Sequence, residues 1–462
     1  MAGETKRLAE FATALRYEDI PEPVIAITKA CLIDAVAVAL FGSGLPWGKS
    51  VADFAFHVGE SAGGHANGKG ASTVLSPALR RVSAPAAALA NGTFAHSFEF
   101  DNLRQPSVGV HPGSTASLAA LAVAEEFDVC GRDLITALVA GNECMLRTGL
   151  AAKSTSEHFG FHAPGLTGVF GSAIAASRIM GNDAHKTTMA IGIGGSFGSG
   201  LLAFAKAGNG GMVKRLHMGR AAEGGVTAAY LAARGFEGPD VVLEGKFGYL
   251  DVYAEGGDPA LLVEGLGTRW DSLNIWFKMF PCHVTAQAPV RAIQELQRRH
   301  KFTADDVARI VLAASDKVLS HHADRAPADV GTAQYSVPFS LALALFRDPA
   351  DPQAFLDGPN QNPKILEICR AIELRPYGTA IAAGLNSTCR LDVTLKDGRV
   401  LSVDKTDGDE HDPSAAVEPL VEKKFFNLTS ALTGAFPGDR PAELLARLKT
   451  IEDRDIASLF HF

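Results

Sequence analysis

From about Ile20 to Asp240, apolar residues recur at helical spacing, as at Ile27, Cys31, Ile33, Val36, Val38 and Leu40, in a background rich in Ala, Gly and Leu. That pattern predicts a packed helical domain. Two stretches, Ser114 to Ala124 and Val169 to Ala176, are apolar nearly all round, as central helices buried on every side should be. The character changes after about Trp270. A helix ending near Arg298 gives way to Thr303-Ala-Asp-Asp306, a capping box, and a β-branched run at Arg309 to Ala313. Arg390 to Lys396 alternates apolar and polar residues, breaks at Asp397-Gly398 and resumes through Val400 to Val403, which predicts a hairpin. The tail returns to helix at Pro419 to Phe425 and Pro441 to Leu459. The predicted fold is mainly α: a large all-helical domain formed by both chain ends (residues 1–267 and 405–462) with a smaller inserted α+β lid domain at 268–404. The acidic Asp404 to Asp412 segment reads as a solvated linker.

A chain of 462 residues with 47% hydrophobic and 20% charged residues has ordinary globular composition and enough length for two domains. The formal net charge of −8 argues against nucleic acid as a partner, since such proteins carry Lys and Arg in excess. Six widely separated cysteines without a Cys-x-x-Cys disfavour structural zinc and thiol redox chemistry. The N-terminal MAGETKRLAEF is charged where a signal peptide is apolar, and no apolar run is read as reaching the ~18 residues of a membrane span. The expectation is a soluble cytoplasmic protein with no membrane partner.

Candidate chemistry gathers around histidines set beside Pro or Gly just ahead of Ala-rich stretches: His111-Pro-Gly-Ser, His162-Ala-Pro-Gly, His217-Met-Gly and Pro281-Cys-His283. Helix N-termini carry unpaired N–H groups, so several of them edged by His and Lys suit a carboxylate. His96 and Glu99, three residues apart, are expected to share a helix face, with Asp101 close by. Lys206 to Arg220 contains Lys214, Arg215 and His217 and no acid, a local electropositive patch. Lys278 sits among aromatic and apolar neighbours, and Tyr335 precedes an apolar helix. Other signals fail. Gly192 to Gly198 has Phe197 where a dinucleotide fingerprint needs its third glycine, and His321-His322 with Asp324 shows no third metal ligand. What remains is acid/base chemistry on an anion, with no cofactor and no metal.

The run Asn91 to Asp101, His111-Pro-Gly-Ser, Gly160-Phe-His162, Lys214-Arg-Leu-His217-Met-Gly and Lys278 to His283 resemble the MmgE/PrpD family over essentially the full length. That resemblance implies a helical domain built from both chain ends, a smaller α+β lid, an active site between the two and a homodimer. It implies that His111, His162, Lys214, Lys278, His283 and Tyr335 are catalytic, and it places Glu99, Asp101, Leu103, Arg215 and His217 with the substrate. The implied activity is a cofactor-independent lyase acting on a small di- or tricarboxylate. Dehydration of the 2-methylcitrate kind ranks first, ahead of epimerisation (as of iminodisuccinate) and decarboxylation (as of cis-aconitate), with a non-catalytic binding protein as the remote alternative. Two departures bear on the choice: the family's Asp-Phe-Asp-Asp reads Glu99-Phe-Asp101-Asn102, and Leu103 stands where the decarboxylase has threonine.

Overall fold

The computed structural model describes residues 3–61, 72–205, 211–382, 384–406, 417–432, 436 and 438–462. The chain divides into two compact units, one of Met1–Arg104, Val108–Phe277 and Ala416–Phe462, the other of Gln105–Ser107 and Lys278–Ala415. The fold is mainly α, with the sheet-bearing unit inserted into a helical one. Phe277 marks the division, ten residues beyond 267, because Ile275–Trp276 pairs antiparallel with Leu103–Arg104. The Arg104 guanidinium also forks onto Asp271, with N–O distances of 2.7 and 3.0 Å. A second two-residue ladder joins Ser72–Thr73 to Arg81–Val82, so the helical unit is not all-helical.

In the helical unit, Glu22–Ser43, Ala84–Ala95, Gly131–Ala152, Ala163–Ile179 and Val213–Ala233 pack on one another. Small residues set their spacing. A Cβ on Gly219 would lie 2.2 Å from the Leu89 carbonyl oxygen, so the Val213–Ala233 helix meets Ala84–Ala95 backbone to backbone. Glu22–Ser43 corrects the expectation about apolar runs: it is long and apolar enough to cross a membrane, with a mean hydropathy of 2.2 over an 18-residue window. That window is 89% buried inside the protein. It is a core helix, packed against Ala84–Ala95 and Glu418–Ser430. The histidine motifs also divide. His162 is the N-cap residue of Ala163–Ile179 and His283 that of the Val284–Ala286 turn, whereas His217 lies inside Val213–Ala233. His111-Pro-Gly-Ser leads into a π-helical turn at Gly113–Ser117 that runs on into Leu118–Phe127.

The other unit has a four-stranded sheet in the order Glu373–Pro376, Val307–Ala314, Cys389–Leu395, Val400–Lys405, in which the first pair is parallel and the rest antiparallel. Leu391, Val393 and Leu395 are buried in alternation, and Gly398 turns the hairpin at φ 90°. The helix Gln287–His300 packs on the two hairpin strands. Of the linker read at Asp404 to Asp412, Asp404 and Lys405 belong to the last strand; residues 407–412 lie outside the described residues.

Candidate active site

The Ala84–Ala95 helix ends at His96, and the chain then turns through Glu99, held at φ 56°. His96 and Glu99 therefore do not share a helix face; the partner of His96 is Asp101. One oxygen of that fully buried carboxylate, Oδ2, accepts three hydrogen bonds: from His96 Nδ1 at 2.8 Å, His111 Nδ1 at 2.9 Å and Ser114 Oγ at 2.8 Å. Burial alone would push the Asp101 carboxyl up, but the facing His96 and His111 rings outweigh it and hold it well below the usual carboxylate range. An ionised carboxylate can only accept, so both rings present Nδ1–H to it and turn Nε2 outward. His96 Nε2 is buried with no hydrogen-bond partner among the described residues.

Burial, with the Lys214 ammonium adding to it and Asp101 opposing, brings His96 down to about 4. His162 is pushed well below its ordinary value by burial first and by Lys214 next. His217, lowered to about 4 by the same two causes, faces His162 with Nδ1 atoms 3.1 Å apart, so one ring donates and the other accepts. Ring centroids run in sequence at 5.1 Å (His96 to His111), 5.9 Å (His96 to His162) and 5.3 Å (His162 to His217). Gly200, at φ 131°, leaves room for this: a Cβ there would sit 2.9 Å from His217 Nδ1. Lys214, in the first turn of Val213–Ala233, pairs with the Glu99 carboxylate. The buried Lys214–Glu99 pair lies beside several neutral imidazoles, whose ring nitrogens can donate to a carboxylate.

Other sequence-predicted residues are placed differently. The Arg215 guanidinium packs over Trp47 at 4.4 Å and donates to the Ser97 and Gly211 carbonyls, so it braces the turn after His96. Leu103 is 2% exposed in its ladder with Trp276. Lys206 and Gly208 to Gly210, part of the predicted basic patch, lie outside the described residues.

In the second unit, His283 accepts from Thr285 N, and its ring is stacked on His322 with centroids 4.0 Å apart and planes at 24°. The Tyr335 ring lies 5.1 Å from His283, and His283 N donates to the Gln334 carbonyl at 2.8 Å. Lys278 is 2% exposed at the start of this segment. His322 was legible only as half of a rejected metal pair; its stacking partner is 39 residues earlier in the chain. Ser114 was hidden within a helix-start motif.

The His96, Asp101 and His111 ligand atoms lie within 4.8 Å of one another, close enough to share a metal ion. Their contacts are those of a hydrogen-bonded hub, with three donors converging on one oxygen. A surface cleft of about 460 Å³ in the same unit, lined by Lys49, Asp53, Phe56 and Ser76 among others, contains none of these histidines.

Residues 6–262 match the MmgE/PrpD N-terminal domain and residues 280–449 the MmgE/PrpD C-terminal domain. The chain is 25% identical over 485 residues to a cis-aconitate decarboxylase of Aspergillus terreus, covering 98% of this chain and 92% of that one. It is 27% identical over 468 residues to the cis-aconitate decarboxylase of Homo sapiens, covering 97% and 92%. The cis-aconitate decarboxylase-like protein oryM of Aspergillus oryzae is 29% identical over 341 residues, 69% of this chain and 67% of its own.

Proposed function

The chain belongs to the MmgE/PrpD family and is a lyase, and we propose that it is a carboxy-lyase acting on an unsaturated tricarboxylate of the cis-aconitate class. The observation that carries this reading is the Asp101 hub: one oxygen takes three hydrogen bonds and orients two imidazoles, beside a buried Lys214. An allylic decarboxylation needs those parts. The bond between the saturated CH2 and its carboxylate breaks and its electron pair forms a new exo-methylene double bond. The old double bond takes up one proton at its CH carbon, and carbon dioxide leaves. Charge develops as a vinylogous enolate next to a carboxylate, where a preorganised ammonium stabilises it.

In this account Lys214 binds a substrate carboxylate, and His111 and His162 carry the proton. The His162 ring begins neutral, and the charge of the substrate favours its protonation. A carboxylate about 5 Å away contributes about 3 kcal/mol toward the charged imidazole at an effective dielectric of about 20. Asp101 orients His111 and stabilises it once charged. Family resemblance assigns Lys278, His283 and Tyr335 to the same reaction, an assignment that single substitutions test.

A second reading, dehydration of a hydroxylated tricarboxylate such as 2-methylcitrate, is favoured by Leu103, a buried apolar side chain where the family's decarboxylase carries a hydroxyl. The test is to incubate the protein separately with cis-aconitate, citrate, 2-methylcitrate and iminodisuccinate and measure released carbon dioxide and product. Carbon dioxide from cis-aconitate alone supports the proposal. Water loss without carbon dioxide supports the second reading, and racemisation of iminodisuccinate overturns both.

A further inference from the structure

We infer that Lys424 and Asp34 are positioning residues for the His96–Asp101–His111 hub, acting on it through Asn102. Neither belongs to a motif that carries the family resemblance. Asp34 lies in the interior of the Glu22–Ser43 helix with its side chain fully buried, and Lys424, from Glu418–Ser430, meets its Oδ1 at 2.7 Å with a side chain only 6% exposed. Lysine and aspartate almost never occupy such surroundings without a specific partner, and an apolar pair of similar volume is often no less stable. The contacts that follow account for the charges.

Asp34 Oδ2 accepts from Asn102 Nδ2 at 2.9 Å, and Asn102 Oδ1 accepts from the Gly113 backbone N–H at 2.9 Å. Asn102 follows Asp101 directly; Gly113 lies between His111 and Ser114, two of the donors to Asp101. The asparagine therefore ties the segment that carries the carboxylate to the turn that carries the groups bonded to it. A Cβ on Gly113 would lie 2.4 Å from Asn102 Nδ2, so the approach is as close as glycine permits. Lys424 also donates to the Phe100 carbonyl, on the peptide that leads into Asp101, and its ammonium sits 4.0 Å from the centroid of the Phe100 ring. One cation, 324 residues from that carbonyl in sequence, thus holds both arms of the hub.

Burial pushes the Asp34 carboxyl up, and Lys424 is the largest influence opposing it. Without the lysine, Asp34 takes up a proton and its bond to Asn102 drops from a charge-assisted to a neutral one, roughly half as strong. Asn102 then holds Gly113 less firmly, and His111 and Ser114 lose their register with Asp101. Outer-shell partners of this kind are typically worth about 10- to 100-fold in activity when removed.

The inference rests on the hub being catalytic, so its test reads the hub directly as well as turnover. K424M, K424R and D34N/K424M are compared with the parent protein by thermal melting, by kcat and KM on cis-aconitate, and by the downfield proton NMR signals of the His96 and His111 Nδ1–H groups. In K424M, kcat is expected to fall about 10- to 100-fold with KM little changed, the Nδ1–H signals to broaden or shift, and K424R to restore both. D34N/K424M, which leaves no unpaired buried charge, is expected to recover the melting temperature but not kcat or the signals. A purely structural role would restore all three together in the double variant, and that result overturns the inference. So does a folded K424M whose signals and kcat match the parent. If the signals move in K424M while the parent protein turns over no carboxylate, the positioning stands and the catalytic reading of the hub fails.

Discussion

Replacing Asp101 with asparagine keeps the shape of the hub and removes its charge. Its Oδ2 now accepts bonds of 2.8, 2.9 and 2.8 Å from His96, His111 and Ser114. A hydrogen bond to an ionised acceptor contributes about 1.5–3 kcal/mol and one to a neutral acceptor about 0.5–1.5, so three bonds lose about 3 kcal/mol of orienting energy between them. That alone corresponds to about a 10²-fold loss in kcat. Because all three bonds fall on Oδ2, the amide can place its oxygen there and keep the three donors, so what is lost is the charge. D101N is therefore expected to lose about 10²-fold in kcat, with KM within about 3-fold of the parent. Global stability is expected to fall by about 1–3 kcal/mol. The assay is carbon dioxide release from cis-aconitate under saturating substrate, with thermal melting of the same samples. A folded D101N that retains kcat within about 3-fold of the parent refutes the hub as the proton-handling centre.

Three further outcomes are expected. K214M leaves Glu99 buried and unpaired, costing about 3–5 kcal/mol of stability; E99Q/K214M should regain most of that in thermal melts while KM for the tricarboxylate stays raised about 10- to 100-fold. With Lys214 gone, His96 should titrate above its value of about 4, read from its ring C–H shift in an NMR pH titration. Glu125, buried and raised to about 7 despite bonds from Thr73, favours the protonated folded form, so its contribution is complete below about pH 4.5 and is lost as pH rises through about 7. E125Q should therefore melt with the parent protein at pH 4.5 and be more stable by about 2–4 kcal/mol at pH 8; equal or lower melting at pH 8 refutes the assignment.

The helical half was legible because its signal is local: Ala- and Gly-rich stretches that are apolar nearly all round can only be buried helices, and Asp397-Gly398 between alternating segments specifies a hairpin. The boundary near Phe277 was not legible, since it depends on a two-residue ladder between Leu103–Arg104 and Ile275–Trp276, far apart in sequence and too short to show a period. The candidate histidines stood out by their Pro and Gly neighbours, but their partners did not. His96 was matched to Glu99 by helical spacing, whereas the helix stops at Ala95 and the chain turns back to deliver Asp101. Lys424 and Asp34 are 390 residues apart, and Asp34 interrupts an apolar helix without any local mark of its role. A pattern of short-range spacing reports which faces are buried; it cannot report which buried polar groups meet across helices.

Proton NMR of cis-aconitate incubated with the protein in heavy water follows each atom of the proposed reaction. Allylic decarboxylation requires that the substrate CH2 protons become the two exo-methylene protons unlabelled, that one deuterium enter the adjoining saturated carbon, and that one carbon dioxide be released for each vinyl proton signal lost. Cis-aconitate that stays unchanged with folded protein, or that gains water with no carbon dioxide released, contradicts it.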